Sequence, residues 1–113
     1  MKVKSYTDLE QSKKLAGILP LESADLWYHP DLSDYPDYVE RCIIGNIPCW
    51  SLAALYALLP EQTDISKSYS DDDEDAVVYW CWNYATDIET EEYDNPVDAC
   101  VEMIIKLKES GLL

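Results

Sequence analysis

The sequence predicts an α+β fold, three helices with a small, mainly antiparallel sheet in the order αβαβ(β)α. Three observations predict it. Two segments, near each end of the chain, repeat apolar residues at helical spacing between capping residues. One segment, Ala76–Tyr84, alternates apolar and aromatic residues with the two-residue period of a strand. A length of 113 residues, 48% of them hydrophobic, is enough for one core, so residues 1–113 read as a single globular domain.

Thr7-Asp-Leu-Glu10 has the pattern of a capping box, and Leu9, Leu15, Ala16, Ile18 and Leu19 follow as an apolar stripe. The spacing predicts a first helix over Asp8–Leu19, stopped by Pro20. Asp25–His29 reads as a short strand, and Pro30–Glu40, with two prolines and four acids, as a loop. Cys49–Leu59 reads as a second helix, apolar almost all round and therefore expected to be central. Asp64–Tyr69 is a candidate strand, and Ser70–Asp75 a solvated acidic turn. In Ala76–Tyr84, Val78, Trp80, Trp82 and Tyr84 share one face and Val77, Tyr79, Cys81 and Asn83 the other. Asp87–Tyr93 is polar enough for an edge strand returning as a hairpin. The last helix has an N-cap in Asn95, proline at its first position and an acid, Asp98, in its first turn. Val97, Cys100, Val101, Ile104 and Leu107 form its buried stripe, Glu102 and Lys106 an i,i+4 pair, and Gly111 its stop, with Leu112 available to pack back.

Twenty-three acids against eight bases give a net charge of −15. Between residues 15 and 105 only Arg41 and Lys67 are basic, against twenty acids. Such a chain has no phosphate-neutralising face, so direct binding to nucleic acid or to an anionic membrane surface is disfavoured, and a basic protein partner is favoured. Met1–Lys14 carries charges throughout, with no apolar stretch after it, so no secretory leader is expected. The nineteen uncharged residues Cys42–Pro60 are interrupted by Gly45, Asn46 and Pro48, and their helical part is too short to span a bilayer. Cysteines 42, 49, 81 and 100 lack any CxxC spacing and are expected as reduced, mostly buried thiols of a cytoplasmic protein.

Candidate chemistry is sparse. Cys49-Trp50 at a helix start resembles the nucleophile of papain-like thiol hydrolases, whose thiolate is favoured by the helix dipole. Such a mechanism also needs a histidine base. The only histidine, His29, lies upstream of Cys49, whereas those enzymes carry theirs downstream. A thiol hydrolase using Cys49 and His29 is thus an alternative rather than the leading expectation. A calcium loop laid on Asp71 places Ala76 at the required glycine and Trp82 at the bidentate acid, so the match fails. One histidine and no close cysteine pair make no zinc site, and three isolated glycines make no phosphate loop. No catalytic residue, metal ligand or cofactor is assigned.

Nine tyrosines, four tryptophans and no phenylalanine give every aromatic ring a polar handle, the composition of interfaces where an apolar body meets a wet rim. The candidate interface combines Trp27, Tyr28, Tyr35 and Tyr38 with the acids Asp71, Asp72, Asp73, Glu74 and Asp75 and with Tyr79.

Three blocks, Leu9–Asp25, Pro48–Leu55 and Asp94–Leu113, resemble a family of small acidic hypothetical proteins of gut anaerobic bacteria, often found in prophage-like or mobile elements. The resemblance implies no activity. It implies a context, an accessory protein of a mobile element in the bacterial cytoplasm. With the charge and the aromatics, the expectation is a non-enzymatic interaction protein, in its most concrete form an inhibitor of a basic nucleic-acid-binding protein; a structural homo-oligomeric subunit is the other alternative.

Overall fold

The last helix is the element its own residues specify most completely. In the computed structural model, which describes residues 4–28, 39–40, 47–69 and 76–113, it runs from Pro96 to Glu109. It is numbered α3, after α1 (Leu9–Ala16) and α2 (Leu52–Leu58). The Asn95 side chain accepts the Asp98 amide at 2.9 Å, satisfying one of the free donors of the first turn. At the other end Gly111 takes φ +72°, and the Leu112 amide reaches back to the Leu107 carbonyl at 2.8 Å. Leu112 itself is 47% exposed, and Leu113 packs against the core in its place.

The strands form two antiparallel three-stranded sheets rather than one. The first comprises β1 (Leu26–Tyr28), β2 (Val39–Glu40) and β3 (Ile47–Cys49), in the order β2-β1-β3. The second comprises β4 (Thr63–Tyr69), β5 (Val77–Asn83) and β6 (Ile88–Glu89), in the order β4-β5-β6. The class is α+β, as the periodicities predict. Strands of two or three residues show no period of their own, so β3 falls inside a segment read as interrupted coil and helix, and Val39–Glu40 inside the predicted loop. The rest of that loop, and the predicted turn Ser70–Asp75, lie outside the described residues.

Helix α3 lies against β5 and α2, burying Val97, Ala99, Cys100, Val101, Met103, Ile104 and Leu107. Each large apolar side chain so buried contributes about 1.5–3 kcal/mol, so α3 is the central helix. The expectation that the second helix is central is corrected. α2 starts at Leu52 under an N-cap from Ser51, and of its residues only Leu55 is fully buried, while Tyr56 is 57% exposed. A run of Ala and Leu carries no polar marker, so its apolar composition does not show which side faces solvent. Cys49 and Trp50, both fully buried, precede this helix instead of starting it.

The first cap is also shifted by one residue. Asp8, not Thr7, is the N-cap of α1, and Gln11 completes the box in both directions, at 2.8 and 3.1 Å. That frees Thr7 for the interior. Its backbone amide donates to the Trp50 carbonyl at 2.9 Å and the Leu52 amide donates to the Ser5 carbonyl at 3.0 Å, which stitches the chain start to the entry of α2. A smaller cluster of Leu26, Tyr28 and Cys49, with Leu9 and Ile47, fills the space under the first sheet.

Candidate functional site

The β4–β5 ladder pairs Thr63 with Asn83 through to Tyr69 with Val77. Successive side chains alternate across it. Ile65, Tyr79 and Cys81 belong to the face covered by α3, where the fully buried Cys100 and Cys81 share the main core. Burial against Cys81 pushes the Cys100 pKa up, away from thiolate character at neutral pH. The opposite face carries Val78, Trp80 and Trp82 from β5, Asp64, Ser66 and Ser68 from β4, and Glu89 of β6 beside Trp82. Trp82 is 39% exposed and meets the ring of Tyr84, itself 51% exposed, edge-on at 5.8 Å.

The β5–β6 turn sets this corner. The buried Asn83 amide oxygen accepts from the amides of Ala85 and Thr86 and from the Thr86 hydroxyl, while its nitrogen donates to Thr63 Oγ1 at 3.0 Å. Asp87 adopts φ +59°, a left-handed conformation that Asp tolerates better than most residues, and its carboxylate accepts the Trp82 indole N–H at 3.2 Å. The outer face is therefore aromatic at its centre and acidic at its border, with Asp64, Asp87 and Glu89 around Trp82.

Two of the expected interface residues belong elsewhere. Tyr28 is 3% exposed, and its hydroxyl donates to the Thr7 carbonyl at 2.6 Å; burial, with the nearby Cys49, pushes its pKa up. Tyr79 is half-buried on the inner face, packed against the main core and doubly bonded through its backbone to Tyr93. Trp27 is half-buried on the first sheet, opposite in sense to Leu26 and Tyr28 and beside Pro48 in register. Tyr35, Tyr38 and Asp71–Asp75 lie outside the described residues. Of the aromatics of β5, the alternation places Trp80 and Trp82 on one face and Tyr79 on the other, and only the packing of α3 shows which face it covers.

Cys49 is fully buried at the end of β3. Thr7 Oγ1 stands 3.5 Å from its sulfur and 2.7 Å from Ser12 Oγ, and also accepts the Trp50 amide at 3.2 Å. Burial pushes the Cys49 thiol up, outweighing the hydrogen bonds that lower it. This environment is the reverse of that which activates a thiolate. His29 lies outside the described residues.

An open groove of about 380 Å³ runs between α1 and α3, lined by Asp8, Gln11, Lys14, Tyr93, Asp98 and Glu102 over Val101 and Ile105. Its carboxylates already have partners. Asp98 accepts from Lys4 and Gln11 at 2.7 Å and from Asn95 at 2.8 Å, and Glu102 from Tyr93 at 2.6 Å and Lys106 at 2.9 Å. The bond to Glu102 pushes the Tyr93 hydroxyl up to about 12. These groups hold the chain start and the β6 return against α3. Among the described residues no three His, Cys, Asp or Glu side chains converge as a metal set, and no helix is long and apolar enough to cross a membrane.

Comparison of the chain with protein-family models, with curated proteins and with solved structures finds no match.

Proposed function

We propose that this chain is a small, non-enzymatic acidic interaction protein whose partner is a basic protein, and that it serves in the bacterial cytoplasm as an accessory of a mobile element. The observation that carries the reading is the outer face of the second sheet, where Trp80, Trp82 and Tyr84 stand among Asp64, Asp87 and Glu89. Tryptophan and tyrosine bodies supply contact area at low entropic cost, and cationic side chains stack on them favourably. The net charge of −15 adds long-range attraction for a basic surface. In its most concrete form the protein inhibits a nucleic-acid-binding partner by occupying its basic groove.

The other readings have less behind them. A homo-oligomer would bring two chains of charge −15 together. A thiol hydrolase would need a thiolate where Cys49 is buried and its pKa raised.

The test is capture of bacterial proteins on the tagged chain at low salt and at about 0.5 M salt, where the Debye length falls to roughly 4 Å. A basic nucleic-acid-binding protein retained at low salt, released at high salt, lost by Trp80→Ser and Trp82→Ser, and displaced by DNA supports the reading. Retention indifferent to both tryptophans removes the outer face from it.

A further inference from the structure

Among the described residues no strand pairs with the outer side of β4, and the hydrogen-bonding phase of that edge follows from the ladder. The Tyr84 amide donates to the Gln62 carbonyl at 3.1 Å, and continuing the register places Gln62 opposite Tyr84. Antiparallel pairing alternates, so Asp64, Ser66 and Ser68 exchange bonds with Trp82, Trp80 and Val78. The other side of β5 confirms the phase. Tyr79 exchanges both bonds with Tyr93, at 2.7 and 2.8 Å, and Cys81 accepts the Thr90 amide at 2.9 Å, so the odd-numbered residues of β5 face β6. The N–H and C=O groups of Ile65, Lys67 and Tyr69 consequently point away from β5. Among the described residues no backbone group pairs with them, and only the Tyr69 carbonyl has a side-chain partner, the Ser68 hydroxyl at 3.3 Å.

Such an edge is a template for another strand, and proteins that need to block it use a charged side chain or a bulge. Lys67, the charge in the middle of β4, projects on the inner face towards β5, its Nζ 5.9 Å from the centre of the Tyr79 ring, and does not cover the edge. The edge is thus regular from Ile65 to Tyr69, a run of about 14 Å at strand rise.

We infer that the outer edge of β4 receives an extended segment of a partner protein, in which Arg or Lys alternates with apolar residues, as an added strand. The inference rests on the reading of a basic partner and names how that partner is held. Charge selects the occupant. Side chains of the added strand on the outer face stand beside Asp64, Ser66 and Ser68, one strand away from Trp80 and Trp82, where a guanidinium meets both a carboxylate and an indole face. Side chains on the inner face stand beside Ile65, Lys67 and Tyr69, where a positive charge would meet Lys67 and an apolar residue is preferred. A second copy of this chain would instead oppose Lys67 to itself or a near neighbour and add its own −15.

The probe is a peptide of about four Arg-Val repeats, titrated at roughly 50 mM salt. Lys67→Pro is compared with Lys67→Thr; proline at this position deletes only an outward N–H and no bond to β5. The expected result is equal binding to the unsubstituted chain and K67T and binding about tenfold or more weaker to K67P. Hydrogen exchange at the Ile65, Lys67 and Tyr69 amides should slow in the complex. If K67P does not fold, exchange at those three amides in the unsubstituted chain decides alone. Binding indifferent to K67P, with the three amides unprotected but affinity lost in Trp80→Ser, overturns the added strand and leaves the aromatic face standing. Absence of binding by the unsubstituted chain overturns the basic-partner reading itself. Equal binding of a Glu-Val peptide overturns the charge selection. A dimer by light scattering, with the three amides protected before any peptide is added, assigns the edge to a second copy and overturns the occupant named here.

Discussion

Thr7 shows how one buried hydroxyl organises several elements. It is fully buried; its Oγ1 meets Ser12 at 2.7 Å and the Trp50 amide at 3.2 Å, and its carbonyl accepts from Tyr28. Replacing it with valine keeps the shape and removes the hydroxyl, leaving the Trp50 amide and the Ser12 hydroxyl without this partner. Thr7→Val should cost about 1–3 kcal/mol, read as a lower urea midpoint at unchanged slope. Thr7→Ser, which keeps the oxygen, should cost less. The same pocket bears on Cys49. With its thiol buried and its pKa raised, alkylation at pH 7–8 should proceed only as fast as the protein opens, which site-resolved mass spectrometry measures by comparison with urea-unfolded chain. Labelling of Cys49 in the folded protein faster than in the unfolded chain would restore the thiol-enzyme reading. At this scale the sequence was informative about identity and misleading about position. Thr7 and Asp8 are adjacent and equally good caps, and which of them turns inward is decided by Trp50, some forty residues away.

At the level of elements, α3 is the piece whose ends were legible, because Asn95, Pro96 and Gly111 act on their own neighbours and need no tertiary information. The strand β5 was legible as a strand for the same reason, its alternation being local. Its inner and outer faces were not, since Val77-Tyr79-Cys81 and Val78-Trp80-Trp82 are equally apolar and only α3 selects between them. Alternation alone therefore could not place Tyr79 on the covered face and Trp82 on the other. The N-terminus of α3 also carries a pH dependence whose sign follows from its partners. Burial acts to raise the Asp98 pKa, but hydrogen bonds from Lys4, Asn95 and Gln11 outweigh it and hold the carboxyl below its ordinary value. A depressed folded-state pKa contributes stability that is fully present above the unfolded value, about 3.9, and is lost as pH falls through the folded one. Glu102, held down by Tyr93 and Lys106 against the same effect of burial, acts in the same direction. Asp98→Asn should therefore destabilise at pH 7 by about 1–2 kcal/mol, and the difference from the unsubstituted protein should close as pH falls below about 4. Urea midpoints across that range measure it; a difference constant with pH would mean that the Asp98 charge contributes nothing.

For the whole molecule, the balance between net charge and specific pairs has a measurable sign. Three ion pairs are present among the described residues, Lys4 with Asp8 and with Asp98, and Lys106 with Glu102. Each is at least partly exposed, so each is worth at most about 1 kcal/mol and is weakened by salt. Against them stands a net charge of −15 on a chain with a radius of gyration of 14.8 Å, not much more than a Debye length at 0.1 M salt, about 10 Å. Self-repulsion on that scale acts between all acids at once, and unfolding relieves it by separating them. Screening should therefore remove more destabilisation than stabilisation. Raising sodium chloride from about 20 to 300 mM should raise the thermal midpoint, by a few degrees for each kcal/mol recovered. If the proposed basic partner is right, the same screening should weaken its binding, so stability and affinity should move in opposite directions with salt. That opposition marks an excess of unpaired like charge. A protein whose acids were mainly engaged in internal pairs would lose stability and affinity together, and calorimetry alongside a peptide titration at the same two salt concentrations separates the two cases.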